Sequence, residues 1–110
     1  MKQYVIDELR PNDYILLKEY LSANFSEANV GNLFWITLDK SLLSEIQTNH
    51  KDCQPFYFAI ELQETSLACE LLVRTNQRVR CDCICYAKKA QRNWIIDKID
   101  SIFEKLGIFT

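Results

Sequence analysis

Period-two alternation dominates residues 55–87, and it restricts what this chain can fold into more than any other feature. Residues 55–63, 67–74 and 78–87 each place apolar side chains at every second position, the pattern of a strand with one buried face. Phe56, Phe58, Ile60 and Leu62 share a face in the first run, and Leu67, Cys69, Leu71 and Val73 in the second. Val79, Cys81, Cys83 and Cys85 share one in the third. A slip by one residue would turn each set into water. Keeping the sets together predicts an antiparallel meander that pairs Leu62 with Leu67 and Val73 with Val79. Leu71–Cys81, Cys69–Cys83 and Leu67–Cys85 then follow as opposite partners. The second connection needs an odd-length turn, and Asn76 tolerates the left-handed geometry such a turn requires.

Helical signals flank this block. Pro11 is a favoured opening residue and Asp13 suits a first turn; Tyr14, Leu17 and Leu21 then recur at helical spacing. Residues 26–32 read as a loop. Residues 33–38 (LFWITL) are almost wholly apolar, as in a strand covered on both faces. Asp39 is placed to cap a short helix with Leu42, Leu43 and Ile46 inward. A last helix is predicted over 88–106, with Ile95, Ile99, Ile102 and Leu106 as its core stripe, widened by Ile96 and Phe103, and Gly107 as its stop. The expected fold is therefore α+β and two-layered, in the order α-β-α-β-β-β-α. Its sheet is largely antiparallel, with helices packed on the apolar face.

One domain over residues 1–110 follows from the length, the 48% apolar and 25% charged fractions, and only two glycines and two prolines. No continuous apolar run opens the chain or approaches a membrane span, so the expectation is a cytoplasmic protein with reduced thiols. Net charge is −2, which gives no general drive towards nucleic acid. Residues 1–73 carry −6 and residues 74–92 carry +5, an asymmetry that can mark a partner surface. The basic residues fall into two clusters, Arg74/Arg78/Arg80 and Lys88/Lys89/Arg92, which counts against a continuous nucleic-acid track.

Several groups invite chemistry. Alternate residues of an extended strand lie about 6.6 Å apart, too far for two thiolates on one zinc. Cys69, Cys81, Cys83 and Cys85 are therefore expected to fill the core, reduced and free of metal. Cys53 is expected in a loop, as the first thiol to react. His50 lies three residues before it and reads as a surface histidine, with no third group to complete a nucleophilic site. The meander register also sets Glu70 opposite Asp82, a like-charge pair that Arg74 and Arg80 would neutralise. No phosphate-cradling, dinucleotide, metalloprotease or hydrolase motif occurs, and no cofactor is expected.

The sheet's other face holds Tyr57, Leu72, Ile84 and Tyr86 among charges, a composition close to a recognition surface. Trp94 falls outside the stripe of the last helix, so it is expected to touch a partner, a second copy or another segment of this chain. The start of that helix, Lys88, Lys89 and Arg92, lacks a capping side chain and suits an anion. The leading expectation is a non-catalytic protein-interaction module, chaperone- or adaptor-like, with a protein partner or homodimer on that second face. Binding of an anionic ligand or acidic partner by Lys88, Lys89 and Arg92 is the alternative, and a small enzyme using Glu70 and Asp82 is the third.

Overall fold

A computed structural model describes residues 2–27, 32–75 and 81–109. Its sheet contains β1 (Gln3–Ile6), β2 (Ser26–Glu27), β3 (Leu33–Thr37), β4 (Phe56–Leu62), β5 (Leu67–Glu70), β6 (Leu72–Thr75) and β7 (Cys85–Tyr86). Its helices are α1 (Pro11–Asn24), the single-turn α2 (Glu45–Asn49) and α3 (Lys89–Leu106). The class is α+β, every strand pairing is antiparallel, and the order β1-β5-β4-β3-β2 runs across the sheet, with β6 pairing to β4 and β7. Among the described residues no helix is long and apolar enough to cross a membrane.

The core follows from the patterns that carry the most apolar bulk. Phe56, Phe58, Ile60 and Leu62 are all but fully buried on one face of β4, against Leu17 and Leu21 of α1 and Ile95, Ile99, Ile102 and Phe103 of α3. Burial of each such side chain contributes about 1.5–3 kcal/mol. Pro11 opens α1, and the Arg10 N–H donates to Asp13 at 3.1 Å. Gly107 closes α3 at φ +71°, a left-handed conformation that a side chain disfavours.

The predicted inner face of 67–73 is present, as is the Leu62–Leu67 pairing. The run is nevertheless two strands. β4 pairs Ile60 with Cys69, then Tyr57 with Arg74, so two extra residues bulge on the β5–β6 side. An even insertion keeps alternation intact while bending the strand. At the break the Leu71 N–H donates to the Lys2 carbonyl at 3.0 Å, and its carbonyl accepts from Ala87 at 2.8 Å.

The third strand of the meander departs further. Val73 faces Cys85 and Leu72 faces Tyr86, in place of the expected Leu71–Cys81, Cys69–Cys83 and Leu67–Cys85. The offset is six residues, an even number, so the facing rule was satisfied by the wrong register. The position across from Val73 that was expected for Val79 is taken by Cys85; Val79 and the Asn76 turn lie outside the described residues. The free edge of β5 is filled instead by β1, which sets Tyr4 beside Cys69. Cys81–Ile84 is a turn, closed by the Ile84 N–H on the Cys81 carbonyl at 3.0 Å.

Smaller corrections have similarly local causes. Ser26 and Glu27 pair with β3 rather than forming only a loop. β3 is buried on one face alone, Phe34 and Ile36, with Leu33 and Trp35 half-exposed on the other. Asp39 caps a single 3-10 turn, Lys40–Leu42, accepting from the Ser41 N–H at 3.0 Å. Ser44 then caps α2, whose buried residue is Gln47 while Ile46 is exposed.

Candidate functional site

Two constellations stand out, one on each side of the fold. The first is the outer face of the sheet. Register sets Trp35 opposite Ala59, Thr37 opposite Tyr57, Leu33 opposite Glu61 and Glu61 opposite Ala68. The result is an open groove of about 340 Å³ in which, among the described residues, the lining comes from strands and not from helices. Ala59 and Ala68 form a low floor because their side chains end at Cβ. Trp35 and Tyr57 stand beside it as a stacked pair, ring centroids 4.7 Å apart and 26° from parallel.

Electrostatics on this face are lopsided. Arg74 is held by Glu70 through a short Nε contact and a second bond from Nη2 at 3.3 Å. That hydrogen bond to Glu70, more than anything else, raises the Arg74 pKa. Glu61 accepts from Gln63 Nε2 at 3.2 Å, a neutral donor, so among the described residues one carboxylate in the groove has no cation bonded to it. Burial raises the Tyr57 pKa, partly opposed by Arg74.

This face contains part of the expected partner surface. Tyr57 lines the groove, and Leu72 lies across from Tyr86 on β6 and β7, with Lys2 Nζ 5.5 Å from the Tyr86 ring. Ile84 and Trp94 are half-buried and pack against the core. The Trp94 ring lies over Phe58, centroids 6.4 Å apart, with Lys98 above it at 5.8 Å. Trp94 thus touches another segment of its own chain while part of its ring stays exposed. Trp35 was missed, because 33–38 read as covered on both faces; its alternate position between Phe34 and Ile36 was the available signal.

One expected site is not assembled. Glu70 faces Gln3 and is paired with Arg74, while Asp82 lines a depression with His50 and Lys88; the register that opposed the two carboxylates does not exist. Lys88, Lys89 and Arg92 are exposed at the start of α3. The Lys88 side chain makes no capping bond there, as expected, while Gln91 Oε1, from the third residue of the helix, reaches back to accept from the Lys88 N–H at 2.9 Å. Arg78 and Arg80 lie outside the described residues.

The second constellation is a cluster of metal-ligating atoms. α2 ends at His50, the 3-10 turn Lys51–Cys53 brings Cys53 back beneath it, and the Cys81–Ile84 turn presents Cys81 and Cys83. His50 Nδ1 lies 3.1 Å from Cys81 Sγ, Cys53 Sγ lies 4.0 Å from Cys81 Sγ, and the four ligand atoms fall within 4.8 Å of one another. Cys53 and Cys83 are buried, His50 and Cys81 half-buried. The distance argument against paired thiols assumed an extended chain, and a turn removes that premise.

The thiols differ accordingly. Cys81 is drawn down to about 7, chiefly by the Cys83 backbone N–H and side chain, with help from His50 and Cys53. Burial, then the neighbouring thiols, pushes Cys83 up to about 12. Cys69 also rises to about 12, through burial first and Glu70 second. Cys53, expected to be the accessible thiol, is 3% exposed. Cys81 and Cys85, expected in the core, are only half-buried. Comparison with family models, curated proteins and solved structures returns no match to this chain.

Proposed function

We propose that this chain is a non-catalytic protein-interaction domain, and that the outer sheet face receives a basic segment of a protein partner. The observation that carries it is the stacked Trp35–Tyr57 pair beside an alanine floor, in a groove lined, among the described residues, by strands alone. A cationic side chain suits such a groove, since aromatic faces attract cations. Among the described lining residues Glu61 and Glu70 outnumber Arg74, and residues 1–73 as a whole carry −6. Shallow width and exposed flanks fit an extended segment better than an enclosed small molecule.

Nuclear magnetic resonance titration tests it, using a short Lys/Arg-containing peptide and a Glu/Asp-containing peptide of equal length. The basic peptide should shift the Trp35 indole and the Ala59 and Ala68 amides, and Glu61→Gln should weaken that response a few-fold. An acidic peptide binding equally well, or shifts confined to the start of α3, would reject the reading. Sedimentation distinguishes the remaining occupant. A dimer that dissociates on Trp35→Ala would assign this face to a second copy of the chain instead.

A further inference from the structure

We infer that His50, Cys53, Cys81 and Cys83 bind one zinc ion as a closed Cys3His centre. It lies apart from the sheet-face groove and stands independently of the reading given to that groove. The donor set is three thiols and one imidazole with no carboxylate among them, which favours zinc over the hard, oxygen-seeking cations. Iron–sulfur clusters ordinarily take four thiolates, and the fourth position here is an imidazole.

Distances agree with that assignment. Sulfur ligands at about 2.3 Å from zinc stand about 3.8 Å apart at tetrahedral angles. Cys53 and Cys81 are 4.0 Å apart, and no ligand pair exceeds 4.8 Å. His50 Nδ1 and Cys81 Sγ, at 3.1 Å, need only a small separation to admit the ion between them. A Cys53–Cys81 disulfide would need the sulfurs to close to about 2.05 Å. It would also leave Cys83 and His50, both aimed at the same point, without a role.

The supports of the ligands are themselves built. Gln47 Nε2 donates to the Cys83 carbonyl at 3.1 Å, and its Oε1 accepts from Gln91 Nε2 at 2.9 Å and from the Ser44 N–H at 2.9 Å. Gln91 also donates to the Leu42 carbonyl at 2.9 Å. On the other turn, the Thr75 hydroxyl donates to the Cys53 carbonyl. Both glutamines and Thr75 are buried. Buried hydrogen bonds thus hold the backbone of each ligand turn, as the outer partners of a metal site do.

Four protein ligands complete a tetrahedral zinc and leave no position for water or substrate, so the centre is structural and not hydrolytic. It fastens the turn after α2 to the turn before β7. The Cys81–Ile84 turn offers little apolar bulk of its own, with Cys83 as its one fully buried side chain.

Metal analysis of the chain, purified and kept with reductant, tests the inference alongside cobalt substitution. Wild type and Cys85→Ser should each hold one zinc, and cobalt should give the intense ligand-field bands of a tetrahedral thiolate site. Cys81→Ser should weaken binding by more than the roughly 10–100-fold that loss of an outer partner costs. Since serine variants can fail to fold, His50→Cys provides a constructive arm: it should keep the ion and strengthen the sulfur-to-cobalt charge-transfer absorption. Folded, reduced wild type without zinc or a tetrahedral cobalt spectrum would overturn the assignment. So would a spectrum unchanged in both Cys81→Ser and His50→Cys, or a Cys53–Cys81 disulfide persisting in reductant.

Discussion

Residues 56–62 and 81–87 alternate equally well in sequence and end in different structures. The first becomes β4, with Phe56, Phe58, Ile60 and Leu62 buried beneath α1 and α3. The second becomes a turn followed by a two-residue strand. The difference lies in what alternates. Each phenylalanine or isoleucine in β4 removes a large apolar area from water, enough to hold an extended strand on the core. Cys81, Cys83 and Cys85 are small, so their alternation exerts far less pull, and their sulfurs are free to answer to His50, Cys53 and Gln47 instead. A period shows which positions agree; side-chain volume decides whether that agreement is enforced.

The largest expected effect tests that contrast directly. Phe58 is fully buried and lies beneath Trp94, so Phe58→Ala should cost about 3–5 kcal/mol through lost burial and the cavity left behind. Denaturant unfolding measures it, and the loss should be similar with zinc supplied or chelated. By contrast, Cys83→Ala removes little apolar volume, so in chelator its cost should be small by comparison. A Cys83→Ala cost matching that of Phe58→Ala under chelation would show that the cysteine segment is held by packing after all.

The same contrast explains which parts were legible in the sequence. α1, α3, β4 and the inner face of 67–73 carry large apolar residues at one period, and each lies where the period placed it. The register of β7 was not legible, because an offset of six residues preserves every facing relation. β1 was not, because four residues with only Tyr4 and Ile6 half-buried give too short a pattern. Of the candidate sites, the outer face was recognised through Tyr57, Leu72 and Tyr86, without Trp35. The thiol cluster was hidden because His50/Cys53 and Cys81/Cys83 are separated by a long stretch of chain, and proximity between two turns leaves no periodic trace.

An intermediate effect isolates the scaffold of the cluster from its ligands. Gln47 is buried and joins Ser44, Gln91 and Cys83. Gln47→Leu keeps the volume but leaves the Gln91 amide and the Cys83 carbonyl without this partner, for an expected loss of about 1–3 kcal/mol. Zinc affinity should fall about 10–100-fold, while Phe58→Ala should leave it nearly unchanged in protein that remains folded. Equal zinc loss in both variants would mean that the ion tracks global stability and not the support of its ligand turns.

The smallest effect concerns β1, which occupies the edge of β5 that the alternating cysteines were expected to take. Tyr4 sits beside Cys69 and donates its phenolic proton to the Asp100 carboxylate of α3, so one hydrogen bond ties this edge strand to the helical layer. Burial, then the hydrogen bond and charge of Asp100, raises the Tyr4 pKa from 10.0 to about 12. The sign follows from which state ionises first. The folded chain retains the phenol to a higher pH than the unfolded chain, so the stabilisation is complete below about pH 10 and is lost as pH rises towards 12. Tyr4→Phe should lack that pH-dependent component, and Asp100→Asn should bring the Tyr4 titration down while leaving the contribution of burial. Tyrosine ring-carbon resonances followed through alkaline titration give the reading: in wild type, Tyr4 should remain protonated where an unperturbed tyrosine has begun to ionise. Ionisation of Tyr4 near 10 would show a phenol open to water, and β1 would then be held by its backbone pairing with β5 and the packing of Ile6, without the tie to α3.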